Sequence, residues 1–430
     1  MRKVVFVFLA AAVMLSFGTY ASAADISVSG SYYAEGIYES NHSLEKDRGS
    51  SSAFYAQRLR VTPVFQVVDG LTLTTRFDAL SRVWGSDAVN SAFPDYNPNE
   101  DNIAWKWAYV TFMTRFGKFD VGYQSGYNVW GTSFGDTEIS LPRIKFSTNF
   151  GDFAFIGVVE KQAEGSIGSG QADADMDNYL VATVYKKDDF QGGIQYKFII
   201  NNTGSAGPFG TKLKANMISP YFKANIGKAY VEGQIYYLWG ELKVEEKPIP
   251  PLYDNRNINS YAGYLMGKYN IGPGYVGAMY AYVQGDDPDT EDIEGNIAGF
   301  GGGADWNPCL ILWNSEINKW MGDTGFDPGS TTNYEMMNAS LYQLFAGASP
   351  VEKVSVNASY TFARANEKQG RIGADYGQEV DLTASYKIYD NLDYTVGFGY
   401  LITGDFYKGA SDTNQTDDDY LLLNKLTLNF

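Results

Sequence analysis

Residues 58–67 read Arg-Leu-Arg-Val-Thr-Pro-Val-Phe-Gln-Val. Leu59, Val61, Pro63, Phe65 and Val67 fall on one parity; Arg58, Arg60, Thr62 and Gln66 fall on the other, with Val64 the exception. Residues 71–78 repeat the pattern, Leu71, Leu73 and Phe77 against Thr72, Thr74, Arg76 and Asp78. Late in the chain, Val380, Leu382, Ala384, Tyr386 and Ile388 oppose Glu379, Asp381, Thr383, Ser385 and Lys387. Successive side chains of a strand point to opposite faces, so a period of two predicts strands with one apolar and one polar side. Residues 107–113 and 154–159 are apolar on both parities and carry no orientation.

Two kinds of connection separate these strands. Short turns fall at Asp69-Gly70, Phe116-Gly117-Lys118, Gly151-Asp152, Asp188-Asp189, Gly227-Lys228, Gly272-Pro273-Gly274, Ser349 to Lys353 and Tyr389-Asp390-Asn391. Gly supplies positive φ there, and Asp or Asn supplies local side-chain bonds. Longer polar connections fall near 39–51, 85–101, 131–140, 163–175, 202–214, 245–257, 286–330, 366–376 and 405–419. The two kinds alternate strictly, which predicts about 18 strands, with 16 possible. The expected fold is all-β: a transmembrane antiparallel up-and-down β-barrel, with short turns on the periplasmic side and long loops outside.

A soluble sandwich or propeller also alternates, but buries its apolar face. Three features favour the barrel. Aromatics gather at strand ends, with Trp84, Trp105, Trp107, Trp130 and Trp239 beside long loops. Phe116, Phe119, Phe150, Phe153, Phe190 and Tyr275 stand beside short turns. Two aromatic girdles are what two membrane interfaces select. No blade-length repeat occurs. The last strand, residues 421–430, ends on Phe430 with Leu426 and Leu428 in phase.

The N-terminus reads as an address. Arg2 and Lys3 precede the apolar run from Val4 to Phe17, and Ala21-Ser22-Ala23 gives a small-x-small cleavage site. Residues 1–23 are therefore expected to be a signal peptide and 24–430 the barrel, including the long loop 286–330. Removing Arg2 and Lys3, and no acid, takes the formal charge from −17 to −19. That acidity argues against nucleic acid. One Cys excludes an internal disulfide and multi-Cys metal sites, and no Cys-x-x-Cys-His exists for covalent haem. No cofactor, metal or enzymatic chemistry is expected. His42, in a polar loop, reads as an exposed histidine, and Cys309 as a small buried hydrophobe. Gly272-Pro273-Gly274-Tyr275-Val276-Gly277 imitates a nucleotide fingerprint, but it runs into a strand, not a helix.

On the signal peptide, the hairpin from Trp107-Ala108-Tyr109-Val110 through Phe116-Gly117 to Phe119-Asp120-Val121-Gly122-Tyr123, and the terminal Phe430, the chain resembles Gram-negative outer-membrane porins. The likeness is strongest to the porins of anaerobic respiring Gram-negative bacteria. It covers the whole mature chain as architecture. It implies an outer-membrane location among lipid and lipopolysaccharide, a homotrimer, and recognition of Phe430 by the barrel-assembly machinery. One departure stands out. General porins have about 16 strands and a third loop folded inward on an acidic Pro-Glu-Phe-Gly-Gly-type sequence. Residues 131–140 hold no such sequence, so a constriction loop is not carried over by position.

An arginine facing lipid at the bilayer midplane costs about 2–4 kcal/mol, so the Leu59/Phe65 face is assigned to lipid. Arg58, Arg60, Arg76, Arg82, Arg143 and Lys145 then line the lumen, and Lys106 joins them if Trp105 and Trp107 share the other face. Asp78, Asp120, Glu232, Glu379 and Asp381 are the lumen acids. The expectation is a basic wall facing acids, or else merely solvated charges. The loop 286–330 opens on six acids in nine residues, which suit a solvated surface or a divalent-cation bridge to lipopolysaccharide. It continues through Trp306 to Trp313 and is expected to enter the lumen, cap the mouth or touch another subunit. The leading function is a porin passing small hydrophilic solutes and ions by diffusion. A substrate-selective channel, or a barrel sheath around a multihaem cytochrome, is the alternative.

Overall fold

The computed structural model describes residues 25–48, 50–85, 103–127, 129–136, 138–165, 167, 174–206, 210–244, 255–295, 306–321 and 335–430. The expected signal peptide lies outside them. Eighteen antiparallel strands form one closed sheet in which each strand pairs with its sequence neighbours and β1 (Asp25–Glu39) closes on β18 (Asp419–Asn429). Closure leaves no unpaired sheet edge, the condition for a sheet to sit in lipid. The eight expected turns all separate consecutive strands: Asp69-Gly70, for example, joins β2 (Ser52–Val68) to β3 (Leu71–Val83). Gly70 there takes φ 78°, a conformation open to Gly at little cost. Gly272 and Gly274 likewise form a hairpin between β12 (Arg256–Ile271) and β13 (Gly274–Val283).

The parity rule follows through to the registers, because directly opposed residues share a face. Arg60 opposes Asp78, and Leu59 opposes Ala79. Between β5 (Gly117–Tyr127) and β6 (Glu138–Phe150), Asp120 opposes Lys145. Outside, Ile144, Val181, Ile235, Leu344 and Leu382 are exposed, which gives an apolar exterior. Phe116, Phe150 and Tyr389 ring the short-turn end, and Trp84 and Trp105 stand at the loop end. The inner face is the unusual one. Its core cluster includes Met217, Tyr236, Leu238, Ala281, Leu341 and Leu401, and it packs against loop residues rather than a second sheet.

Bulges correct three sequence assignments. Between Leu59–Ala79 and Gln57–Arg82, β3 carries one residue more than β2, and Leu80 takes φ 51°. An extra residue reverses the side-chain alternation beyond it. Arg82 thus shares the outer face with Gln57, whose amide oxygen accepts from Trp84 Nε1 at 2.8 Å. It is not a lumen residue. A second bulge at Lys106 in β4 (Ile103–Thr114) separates Trp105 from Trp107. Trp105 packs outside on Phe77, but Trp107 points inward under the Arg76 guanidinium, 3.1 Å from its ring centre. The premise for Lys106, that the two tryptophans share a face, fails. Trp130 also leaves the girdle and is buried inside.

Candidate constriction of the lumen

The loop between β5 and β6 folds inward against the wall formed by β10 (Thr211–Ile226), β11 (Ala229–Val244) and β12. Trp130 Nε1 donates to the Ser219 carbonyl at 2.9 Å. The Thr132 amide and hydroxyl both donate to Gln234 Oε1 at 2.7 Å. Phe134 stacks on Tyr264 with ring centres 5.3 Å apart. A third-loop constriction is therefore present without the acidic sequence that marks it in general porins.

Residues 306–321 of the long loop form a second inward segment. Trp306 meets Phe134 edge-on at 5.2 Å, joining the two loops. Further on, Glu379 of β16 (Asp375–Tyr389) accepts three backbone N–H groups, from Leu310 at 3.0 Å, Ile311 at 2.7 Å and Leu312 at 2.8 Å. Successive amides aimed at one carboxylate offset part of the cost of burying its charge, as in an anion-binding nest. Asn314 caps the short helix α1 (Ser315–Asn318) through the Ile317 amide, and its side chain also holds the Cys309 carbonyl. Trp313 packs edge-on to Tyr376. The segment ends three strands along the wall, past β18, where Trp320 Nε1 donates to Glu35 Oε1 of β1 at 2.9 Å. Ile311, Leu312, Trp313 and Ile317 are all buried. Each such side chain contributes roughly 1.5–3 kcal/mol when taken from water, which holds the loop inside.

The loops cover the β10–β18 side of the lumen, Trp130 joins Val158 and Leu180 in a buried cluster, and the β2–β6 wall is left. There the sequence-assigned charges meet as neighbours. Arg60 holds Asp78 through two parallel bonds of 2.7 and 2.8 Å. Lys118 stands 3.1 Å from Asp120, whose carboxylate also accepts from Thr111. Arg143 meets Glu160 of β7 (Phe153–Ala163) at 3.1 Å. Lys145 lies beside Asp120 in register. Arg58 covers the Tyr33 ring at 5.1 Å. Asp78 and Asp120 thus neutralise bases on their own wall.

Glu379 and Asp381 face inward as expected, but beneath the loop, at 0% and 6% exposure. They anchor protein, and do not form the acidic wall opposite the arginines. Glu232 is likewise held, by the hydroxyls of Tyr230 and Tyr264 at 2.7 and 2.8 Å. The acid that does approach Arg58 is Glu316 of α1. Burial pushes its carboxyl up, but Lys319, Arg58 and Lys425 outweigh burial and hold it at about 2. Its Lys319 partner lies at 2.8 Å. His42 is not the exposed residue expected: its ring Nδ1 sits 2.9 Å from Glu39, with the side chain 11% exposed.

Sequence reasoning missed Glu35, Glu39, Glu160, Lys197 and Lys425, all inward-facing. Glu35 and Glu39 share parity with Tyr33 and Ile37, so the signal was one face mixing acids with apolar residues. Such a face reads as lipid-facing until it is known that a loop packs on it.

No protein-family model matches the sequence, and no curated protein matches it. Solved structures do. OccAB1 of Acinetobacter baumannii is similar at a TM-score of 0.55 and 12% identity, covering 96% of this chain and 99% of that one. OccK9 (OpdG) of Pseudomonas aeruginosa gives 0.53 at 12% identity, with 94% and 98% covered. OccK8 (OprE) of the same organism gives 0.52 at 13%, again with 94% and 98% covered. These are outer-membrane porins, and the chain has their fold.

Proposed function

We propose that the chain is an outer-membrane channel through which small hydrophilic solutes and ions diffuse, with no chemical step. The observation that carries this is the asymmetry of the lumen. One side is packed by the chain's own loops, and the other keeps a charged wall inside an apolar exterior. Charges buried in such a wall cost energy unless water reaches them or partners hold them. The excess of base over acid at Arg58, Arg76 and Lys145 favours anions beside it. A sheath around a cytochrome gains no support, since the loop-side lumen is occupied by the protein's own side chains.

The test is single-channel recording in a planar bilayer, with the reversal potential read in a salt gradient. Discrete conductance steps with anion preference are expected. Replacing Arg58, Arg60 and Arg76 together with Ala should move the reversal potential toward cations. No steps from a folded barrel would remove the channel, and an unmoved potential would remove the role of the wall.

A further inference from the structure

Where the long loop meets β16, three chemically different ligands converge. Cys309 Sγ, a Glu379 oxygen and an Asp381 oxygen all lie within 4.8 Å of one another. All three residues are buried, at 4%, 0% and 6% exposure. Asp381 supplies the observation that points to a ligand. Its Oδ2 accepts from Ser359 at 3.2 Å, but its Oδ1 is buried with no hydrogen-bond partner. A Cβ on Gly399 would stand 2.9 Å from Asp381 Oδ1 and 3.5 Å from Glu379 Oε1, so these two oxygens border one small space. Among the described residues, neither carboxylate has an ion-pair partner. Two touching buried carboxylates need a cation or a shared proton.

We infer that Cys309, Glu379 and Asp381 bind a borderline divalent cation of the zinc class, which clamps the inward loop onto the barrel wall. The donor set selects the ion. Sulfur disfavours calcium and magnesium, which take oxygen ligands, whereas zinc accepts sulfur and carboxylate together. An ionised carboxylate has about four acceptor positions; Leu310 and Ile311 take both on Glu379 Oε1 and Leu312 takes one on Oε2, which leaves one Oε2 position for a metal. Thr361 Oγ1, 3.3 Å from Cys309 Sγ, stands as a fourth donor and is itself oriented by Gln343 Nε2 at 2.9 Å. Such an outer layer of hydrogen bonds is what orients metal ligands. Ligand atoms around tetrahedral zinc stand about 3.5 Å apart, so the three side chains close by no more than about 1 Å on binding. The thiol proton leaves to solvent as the ion enters. Because the site is sealed between loop and wall, the ion enters as the loop folds in.

The full mature barrel is refolded with zinc chloride, dialysed against chelator, and its metal measured by mass spectrometry. About one zinc per chain is expected, with loss in C309S and in D381N and retention in D287N/D289N/E291Q, which removes surface acids only. Refolding with cadmium should give a thiolate-to-metal charge-transfer band in the wild type and none in C309S. The wild-type band needs no variant to fold. Folded wild type without stoichiometric metal, or without the cadmium band, overturns the site in favour of a shared proton. Full zinc retention in C309S overturns it as well. Metal content is read without conductance, so failure here leaves the channel reading standing, and the reverse also holds.

Discussion

Gly399 faces the lumen where Leu310 crosses β17 (Leu392–Thr403). A Cβ there would stand 3.1 Å from the Leu310 Cβ and 2.9 Å from Asp381 Oδ1, tighter than ordinary contacts. A β-branched residue suits a strand, so G399V should leave the barrel intact and push the loop off the wall. The expected result is larger single-channel conductance and new protease cleavage between residues 306 and 321. Unchanged conductance and protection would show that the loop does not rely on this contact. At this scale, most inward charges were legible from parity, Arg58, Arg60, Arg76, Arg143 and Lys145 among them. Arg82 was not, because one extra residue at Leu80 inverts every side chain beyond it, and bulges leave little trace in composition. Trp107 was hidden by the bulge at Lys106 for the same reason.

The inward segment 306–321 is held at both ends, by Glu379 near its start and by Glu35 near its end. Its own acid, Glu316, links pH to this docking. A carboxyl whose folded value is depressed adds stability above its unfolded value, and that stability is lost as pH falls toward the folded value. With an unfolded value near 4.3 and a folded value of about 2, docking should hold from neutral pH to roughly 4.5 and weaken below it. Conductance against pH checks this: a flat trace to roughly 4.5, then a rise, is expected, and E316Q should remove the Glu316 share of that rise. A rise centred near neutral pH would assign the docking to another group. The loop's apolar stretch from Trp306 to Trp313 announced an element unfit for water. Its destination was open, because the partners that receive it lie on β10 to β18 and on β1.

Across the whole molecule, the first and last strands meet in a seam closed at its turn end by Phe430. The Gly30 amide donates to the Phe430 carbonyl at 2.7 Å, and the Phe430 amide donates back to Gly30 at 3.0 Å. The ring itself points outward, 50% exposed, in phase with Leu426 and Leu428. A side chain that contributes so little burial is free to serve recognition during assembly. F430A should lower the amount of barrel in the outer membrane several-fold, while barrel refolded in detergent keeps its heat-modifiable mobility. Equal amounts in membranes would leave Phe430 without an assembly role.

The sequence by itself determined the strands, their number and the alternation of short and long connections, because a strand's period of two and the turn chemistry of Gly, Asp and Asn are local properties. It also determined which parity carried most charges, since lipid penalises them on the other. Only the tertiary structure decided what occupies the lumen. Parity says that Glu379 and Asp381 point inward, but not whether they meet water or the amides of Leu310, Ile311 and Leu312. That pairing joins residues nearly 70 positions apart. It depends on closing the barrel, which creates the enclosed space where an apolar loop is more stable than in water.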